Sequence, residues 1–285
     1  MPSREDLREA ANALVGSIVV CGVGDYADSL AARSGIDARV VPVSRLAARS
    51  AEHPAAVLIG VDPATLADDP LRALAETEGF KLGIVPESVT REQLSALRGL
   101  VDAVLIAGDA DGSGDGVAHA IRSFLAVVQD PGFVNLDLTD AETVLSSGVA
   151  AIGTGTAARD APATAVESAF GGLPDGVDVT DASAVLVDVT LDPATSIAAA
   201  TDVIAAVRDR TGSDANVIWG GAVDDDAADA LRARVVVADV RYDPPLAAGD
   251  PCPRCGASLS AYTFGASETL SCDACGYSGI GIRRD

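Results

Sequence analysis

Four cysteines stand in two pairs near the end of the chain, Cys252-Pro253-Arg254-Cys255 and Cys272-Asp273-Ala274-Cys275, each followed by a glycine, Gly256 and Gly276. Two residues between paired cysteines let both sulfurs face one point. Two such pairs therefore offer four thiolates at the corners of a tetrahedron, a geometry that Zn2+ accepts without distortion. With all four positions filled by protein, an ion held there is structural and keeps no open site for water. Two disulfides or a redox pair are the other chemistries open to these residues. A reducing compartment and the doubled spacing point to zinc. The remaining cysteine, Cys21, lies in an apolar run and reads as a small buried side chain.

A second set of residues with chemical potential lies in the middle of the chain. Asn135, Asp137 and Asp140 interrupt a loop that also carries Phe133, Val134, Leu136 and Leu138. Polar groups in such a loop can act on a bound molecule or be used locally. In the local case Asn135 and Asp137 accept from nearby backbone N–H groups, and Asp140 caps a helix starting at Ala141. Two glycine-containing turns follow apolar runs. One holds Gly22 and Gly24; the other, over residues 107–116, holds Gly112 and Gly114. Turns of this kind before a helix expose backbone N–H groups that cradle phosphate. Here Asp25 and Asp28 in the first, and Asp109, Asp111 and Asp115 in the second, put negative charge where a phosphate would lie. Two like charges about 4 Å apart cost about 4 kcal/mol at intermediate dielectric. A divalent cation would reverse the sign. Without one, the first turn reads as a tight strand-to-helix connection and the second as an acidic surface loop. His53 and His119 show no partner in the sequence, and Trp219 sits in an apolar strand where packing is its expected role.

The elements that must hold these residues follow from the apolar patterning. Ser3 caps a helix with Leu7, Ala10, Ala11 and Leu14 on one face. Short apolar runs at 17–24, 38–43, 55–61, 81–85 and 103–107 alternate with helical stretches, among them one from Pro63 or Pro70 to Glu78 and one from Ser88 or Thr90 to Leu100. Alternation of this kind specifies an α/β domain with a mostly parallel sheet. Residues 116–129 place Val117, Ala120, Ile121, Phe124, Val127 and Val128 at three-and-four spacing, the mark of a buried helix. Beyond Gly148 the expected elements are a strand at 149–156, a helix from Arg159 to Phe170 and a strand from Ala184 to Thr190. A helix from Thr195 to Arg210 follows, with Ile197, Ala200, Ile204 and Val207 inward. A strand at 216–219 then breaks at Gly220-Gly221, and a last strand spans 232–240. Residues 241–249, with Pro244-Pro245, form a stiff linker to the cysteine module.

Composition narrows the function classes. The 285 residues are 48% hydrophobic, enough for a sizeable core in about two domains. Net charge is -22, from 42 acidic and 20 basic residues, and Lys81 is the sole lysine. Such an excess, spread along the chain, resembles the composition of proteins from salt-loving archaea. It disfavours nucleic acid, since the only basic run is Arg283-Arg284. No apolar stretch is long enough to span a membrane and the first residues lack the apolar core of a signal peptide, so a cytoplasmic protein is expected.

Several of these stretches together resemble a known family. The run Asn135 to Asp140, after Pro131-Gly132 and before Thr143-Val144-Leu145, is similar to the loop that follows the central helix in the FtsZ/tubulin superfamily. Ala184 to Thr190, Asp214 to Gly220, Ala222 to Asp225 and Arg234 to Val240 resemble the strand and turn series of the FtsZ C-terminal domain. The likeness is good over roughly residues 100–243 and poor before that. It implies a Rossmann-like α/β domain over 1–130, shortened and ending in the central helix, and an α+β FtsZ-type domain over 131–243. A linker at 244–250 and a small module resembling a zinc ribbon at 251–285 complete the chain. In the family the loop's acidic residues reach the nucleotide of the next subunit in a filament and help activate water. The resemblance assigns that role to Asn135, Asp137 and Asp140, and assigns GTP with Mg2+ to Gly22, Gly24, Gly112 and Gly114. The acidic interruption of both glycine turns implies that the loop is kept without its nucleotide site. The expected protein is then a noncatalytic scaffold or regulator that contacts FtsZ-type filaments or copies of itself; the alternative is a divergent, self-assembling GTPase.

Overall fold

The computed structural model describes residues 18–32, 35–41, 43, 46, 54–66, 77–109, 114–146, 148–227, 229–264 and 267–280. The helix expected at 3–14 lies outside them. So does most of the helix expected to end at Glu78, of which the turn of 3-10 helix at Pro63–Thr65 is described.

Strands β1 (Ile18–Val23), β3 (Ala56–Val61) and β5 (Ala103–Ala107) are buried at every residue. A strand covered on both faces has no polar side to show, which is why these read as unbroken apolar runs. With β2 (Arg39–Val40) and β4 (Phe80–Pro86) they pair in parallel. Alternate residues serve opposite cores. Val19, Cys21, Val57 and Ile59 face one layer, and Ile18, Val20, Ala56 and Leu58 the other, as the two-residue period of a strand requires.

The helices divide between the two faces. Helix α1 (Tyr26–Ala32) gives Leu30 to the second core, which also takes α3 (Gly116–Gln129) and α4 (Leu138–Val144). All six residues read as the inner stripe of α3 are buried, with Ile121 and Phe124 fully enclosed. Helices α2 (Arg91–Arg98), α5 (Pro162–Gly171) and α6 (Ala198–Thr211) cover the first core.

The rear half consists of β6 (Val149–Ala158), β7 (Val177–Asp178), β8 (Ala184–Leu191), β9 (Asn216–Val223) and β10 (Ala230–Ala238), with a short β11 (Arg241–Tyr242) against β7. Strand β6 joins β5 in parallel through Val104↔Val149, Leu105↔Ala150 and Ile106↔Ala151. One nine-stranded sheet, in the order β2-β1-β3-β4-β5-β6-β10-β8-β9, therefore crosses the junction at residue 131. A separate three-stranded sheet, β12 (Ser260–Phe264), β13 (Ser267–Ser271) and β14 (Ser278–Ile280), contains the hairpin expected between the cysteine pairs.

Three local expectations are corrected. Strand β9 does not break at Gly220-Gly221 but runs through both; the glycines are needed for packing, not for a turn. Helix α6 begins at Ala198, so Ile197 precedes it and is 58% exposed, while Val203 and not Ile204 completes the buried stripe of Ala200 and Val207. The helix after the acidic loop begins at Leu138, three residues earlier than expected, because Asp137 and not Asp140 is its cap.

Candidate functional site

The cysteine module is built from two matching knuckles. The Gly256 N–H donates to the Cys252 carbonyl at 2.8 Å and the Gly276 N–H to the Cys272 carbonyl at 2.8 Å. Both glycines have positive φ, +76° and +71°, in open space, so only a residue without Cβ closes these turns without strain. The Cys252 and Cys272 N–H groups return to Ala257 and Tyr277 carbonyls at 2.7 and 2.9 Å. Four sulfurs result, all within 4.8 Å of one another. Cys252 Sγ lies 3.7 Å from Cys275 Sγ, and Cys255 Sγ 3.5 Å from Cys272 Sγ. A tetrahedral ion with bonds of about 2.3 Å would set its thiolates about 3.8 Å apart. The spacing fits a single metal ion, and none of the five cysteines is joined in a disulfide. Burial pushes the Cys252 thiol up, while the Arg254 and Cys255 N–H groups, with the neighbouring Cys275 and Cys272 side chains, bring it down to about 7.

The first glycine turn is filled by the chain itself. A Cβ on Gly22 would stand 2.0 Å from the Tyr26 carbonyl oxygen, so this glycine lets β1 pass under α1. Gly24 has φ +67° and lies against Asp62, whose Cβ and Oδ2 would be 2.6 and 2.7 Å from an added Cβ. The Asp62 carboxylate accepts from Ala64 N at 2.9 Å and, more weakly, from Asp25 N at 3.5 Å. One N–H of the turn, that of Asp25, thus points at a resident carboxylate.

The second turn lies beside a cavity. Gly112 is outside the described residues. Gly114 donates its N–H to Asp109 Oδ2 at 2.8 Å, and Gly116 packs so closely on Gly108 that an added Cβ would meet its carbonyl oxygen at 2.5 Å. Where β5 ends and β6 continues, a cavity of about 290 Å³ opens, lined by Asp109, Asp115, His119, Arg122, Ser123 and Thr154 among others. Asp115 and Arg122 are paired at 2.8 Å. Ser123, only 8% exposed, lies 3.4 Å from His119 Nε2, and the Thr154 hydroxyl is buried with no hydrogen-bond partner. Gly22 and Gly24 do not line this cavity. The sequence reading missed His119 and Ser123, although their four-residue separation on α3 is a signal that they meet.

The acidic loop uses its polar groups on itself. Asn135 Oδ1 accepts from Gly132 N at 2.7 Å, as the local reading expects. Asp137 and Asp140 form a reciprocal capping box: Asp140 N donates to Asp137 Oδ1 at 3.0 Å, and Asp137 N to Asp140 Oδ2 at 3.1 Å. The loop is fastened to β9 by a two-bond bridge between Val134 and Gly221, at 3.2 and 2.9 Å. A Cβ on Gly220 would come within 2.7 Å of Leu136 Cγ, and one on Gly221 within 2.6 Å of the Phe133 ring. Leu136 is 5% exposed and has nowhere to go. Gly220→Ala is therefore expected to lift the loop from β9 at a cost of about 1–3 kcal/mol. Urea unfolding measures the loss, and faster amide exchange at Val134 and Gly221 than elsewhere in the sheet locates it.

Comparison with known proteins comes from sequence and from structure. Residues 148–241 match the FtsZ family, C-terminal domain. The cell division protein FtsZ 1 of Halobacterium salinarum is 38% identical over 124 residues, 43% of this chain and 31% of that protein. The chain thus spans about a third of the length of that relative. Structural similarity is wider. An empty FtsZ dimer from M. jannaschii superposes with a TM-score of 0.64 at 16% identity, covering 88% of this chain and 99% of that one. CetZ2 from Haloferax volcanii, solved as a GTPγS-bound protofilament, gives 0.54 at 16% identity over 84% and 89%. Close sequence identity is confined to part of the chain, whereas the fold agrees across most of it.

Proposed function

From the premise that this chain belongs to the FtsZ/tubulin superfamily, we propose that it is a noncatalytic member, a scaffold or regulator of cell-division or cytoskeletal filaments that works through protein contacts. The observation that carries this reading is the Asp62 carboxylate seated against Gly24. A triphosphate brought to that turn would meet Asp62 and Asp25 together, and like charges in one small space raise the cost of binding steeply. The partners are proteins, FtsZ-type filaments or further copies of the chain; a net charge of -22 works against nucleic acid. Among the described residues no helix is long and apolar enough to cross a membrane, consistent with work in the cytoplasm. Cys252, Cys255, Cys272 and Cys275 hold a structural Zn2+, which ties the two knuckles together and performs no reaction.

Titration with labelled GTP and Mg2+ in molar KCl tests the reading. No saturation up to millimolar nucleotide is expected, and micromolar binding would sink it. Co-sedimentation with FtsZ filaments from the same cell, at native salt, is the positive half of the test.

One observation favours a second reading, a divergent GTP-binding, self-assembling GTPase: the cavity beside the 108–116 loop, at the end of β5 and the start of α3. In that reading Gly22, Gly24, Gly112 and Gly114 of one subunit would hold the nucleotide, with Gly22 and Gly24 reaching it from outside the cavity. Asp137 and Asp140 of the next would position water, so that catalysis would rest on placement and charge stabilisation. The same titration separates the two.

A further inference from the structure

We propose that the groove between α2 and residues 240–244 is a docking site for an acidic, proline-containing peptide of a partner protein. The groove has a volume of about 550 Å³ and is lined by Arg91, Ser95 and Arg98 along α2, over a floor that includes Leu94, Val240 and Tyr242. Two arginines and no carboxylate line it, in a chain where acidic residues outnumber basic ones 42 to 20. The neighbouring cavity, lined by Glu87, Asp175 and Asp243, has the opposite character. The lining of this groove therefore carries the arginines, with Asp243 paired to Arg91 at its border with the neighbouring cavity.

Its two arginines are available in different ways. Arg98 has no ion pair or hydrogen bond among the described residues. Arg91 pairs with Asp243 at 2.9 Å, but both side chains are well exposed, at 67% and 86%. An ion pair in water at that exposure is weak and can be exchanged for an incoming carboxylate. Between them Leu94 is 8% and Val240 6% exposed, and the Tyr242 ring is fixed by its hydroxyl, which donates to the Glu87 carbonyl. The floor is thus apolar and preformed, and the rim carries the charge.

Spacing selects the ligand. Arg91 and Arg98 stand seven residues, two turns, apart on one face of α2, so their Cα atoms are about 10 Å apart along the axis. In a polyproline II segment residues i and i+3 point the same way and lie about 9 Å apart. Two carboxylates at that spacing would each meet one guanidinium, with the residues between them facing the floor.

The probe is a labelled peptide of four Glu-Pro-Leu repeats, followed by fluorescence anisotropy on the full chain in 0.2 M and 2 M KCl. Saturable binding is expected for it and not for Lys-Pro-Leu repeats. Arg98→Gln should weaken binding about tenfold, and Arg91→Gln with Arg98→Gln should abolish it, with thermal unfolding unchanged. Absence of saturation, equal binding of the lysine peptide, or full binding by the double variant overturns the proposal. So does sedimentation showing that the double substitution only dissociates an oligomer, which would make the occupant a second copy of this chain. Equal binding of a Glu-Gly-Ser repeat would reduce the groove to an anion site and overturns it as well. None of these outcomes depends on whether GTP binds.

Discussion

Stripping the proposed zinc from the intact protein with a strong chelator is expected to unfold residues 252–280 and to leave the nine-stranded sheet in place. The reason is the size of what remains. The buried apolar core of the tail is Cys252, Leu259, Leu270 and Cys272, with Leu246, Ala257, Cys275 and Tyr277 against it. Two of the four buried residues are themselves proposed ligands. A core this small cannot offset the conformational entropy of the segment it orders. In peptides that fold around structural zinc the metal contributes about 10–16 kcal/mol, and that binding energy is the folding energy. Cys272→Ala should act like the chelator, since it removes one of the proposed ligands, a buried one. The purified protein should carry one zinc per chain by mass spectrometry of the metal. On chelation the amide resonances of β12–β14 should collapse to random-coil positions while those of Val104 and Leu105 in β5 stay fixed. Acid should mimic chelation, because protons compete with the metal for thiolates. A tail that keeps dispersed resonances without metal would refute the assignment.

The meeting of the four cysteines was legible because its determinants are local: two cysteines, two residues between them, and a glycine that closes the knuckle. The buried strands were legible for a related reason, since an apolar run such as Ala56–Val61 announces its burial on both faces without reference to its neighbours. What escaped depends on distant residues. Gly220-Gly221 looked like a chain break, yet the pair serves Leu136 and Phe133 from a loop more than eighty residues earlier. The exposure of Ile197 follows from where the turn after Asp192 ends, with Asp192 accepting from Ala194 and Asp229 N–H groups. Likewise nothing near Gly24 predicted that Asp62, across the β1–β3 pairing, would sit in its turn. The acidic loop was an intermediate case. Asn135 and Asp137 bond the local backbone as expected, while the helix start moved because two aspartates three apart can cap each other's N–H groups.

The largest single-residue effect outside the metal module is expected at Arg234. Its guanidinium lies 2.6 Å from Asp188 Oδ2, between directly paired positions of β10 and β8, and the two side chains are 14% and 12% exposed. Burial pushes the Asp188 carboxyl above its usual range, Arg234 pulls it back, and Asp130 adds to the rise. Removing one partner leaves the other charge desolvated and unmatched. Arg234→Met should therefore cost about 3–5 kcal/mol in urea unfolding, whereas Arg234→Met combined with Asp188→Leu should recover most of that loss. The pH dependence distinguishes this from simple loss of packing. A carboxyl raised in the folded state binds more protons there than in the unfolded chain, so its contribution is full in acid and declines as pH rises through the folded value. Without Arg234 the carboxyl rises further, and the deficit of Arg234→Met against wild type should be small near pH 4 and grow toward pH 7. The double variant, having no carboxyl at that position, should show no such growth. A deficit independent of pH would mean that the guanidinium acts through its volume alone.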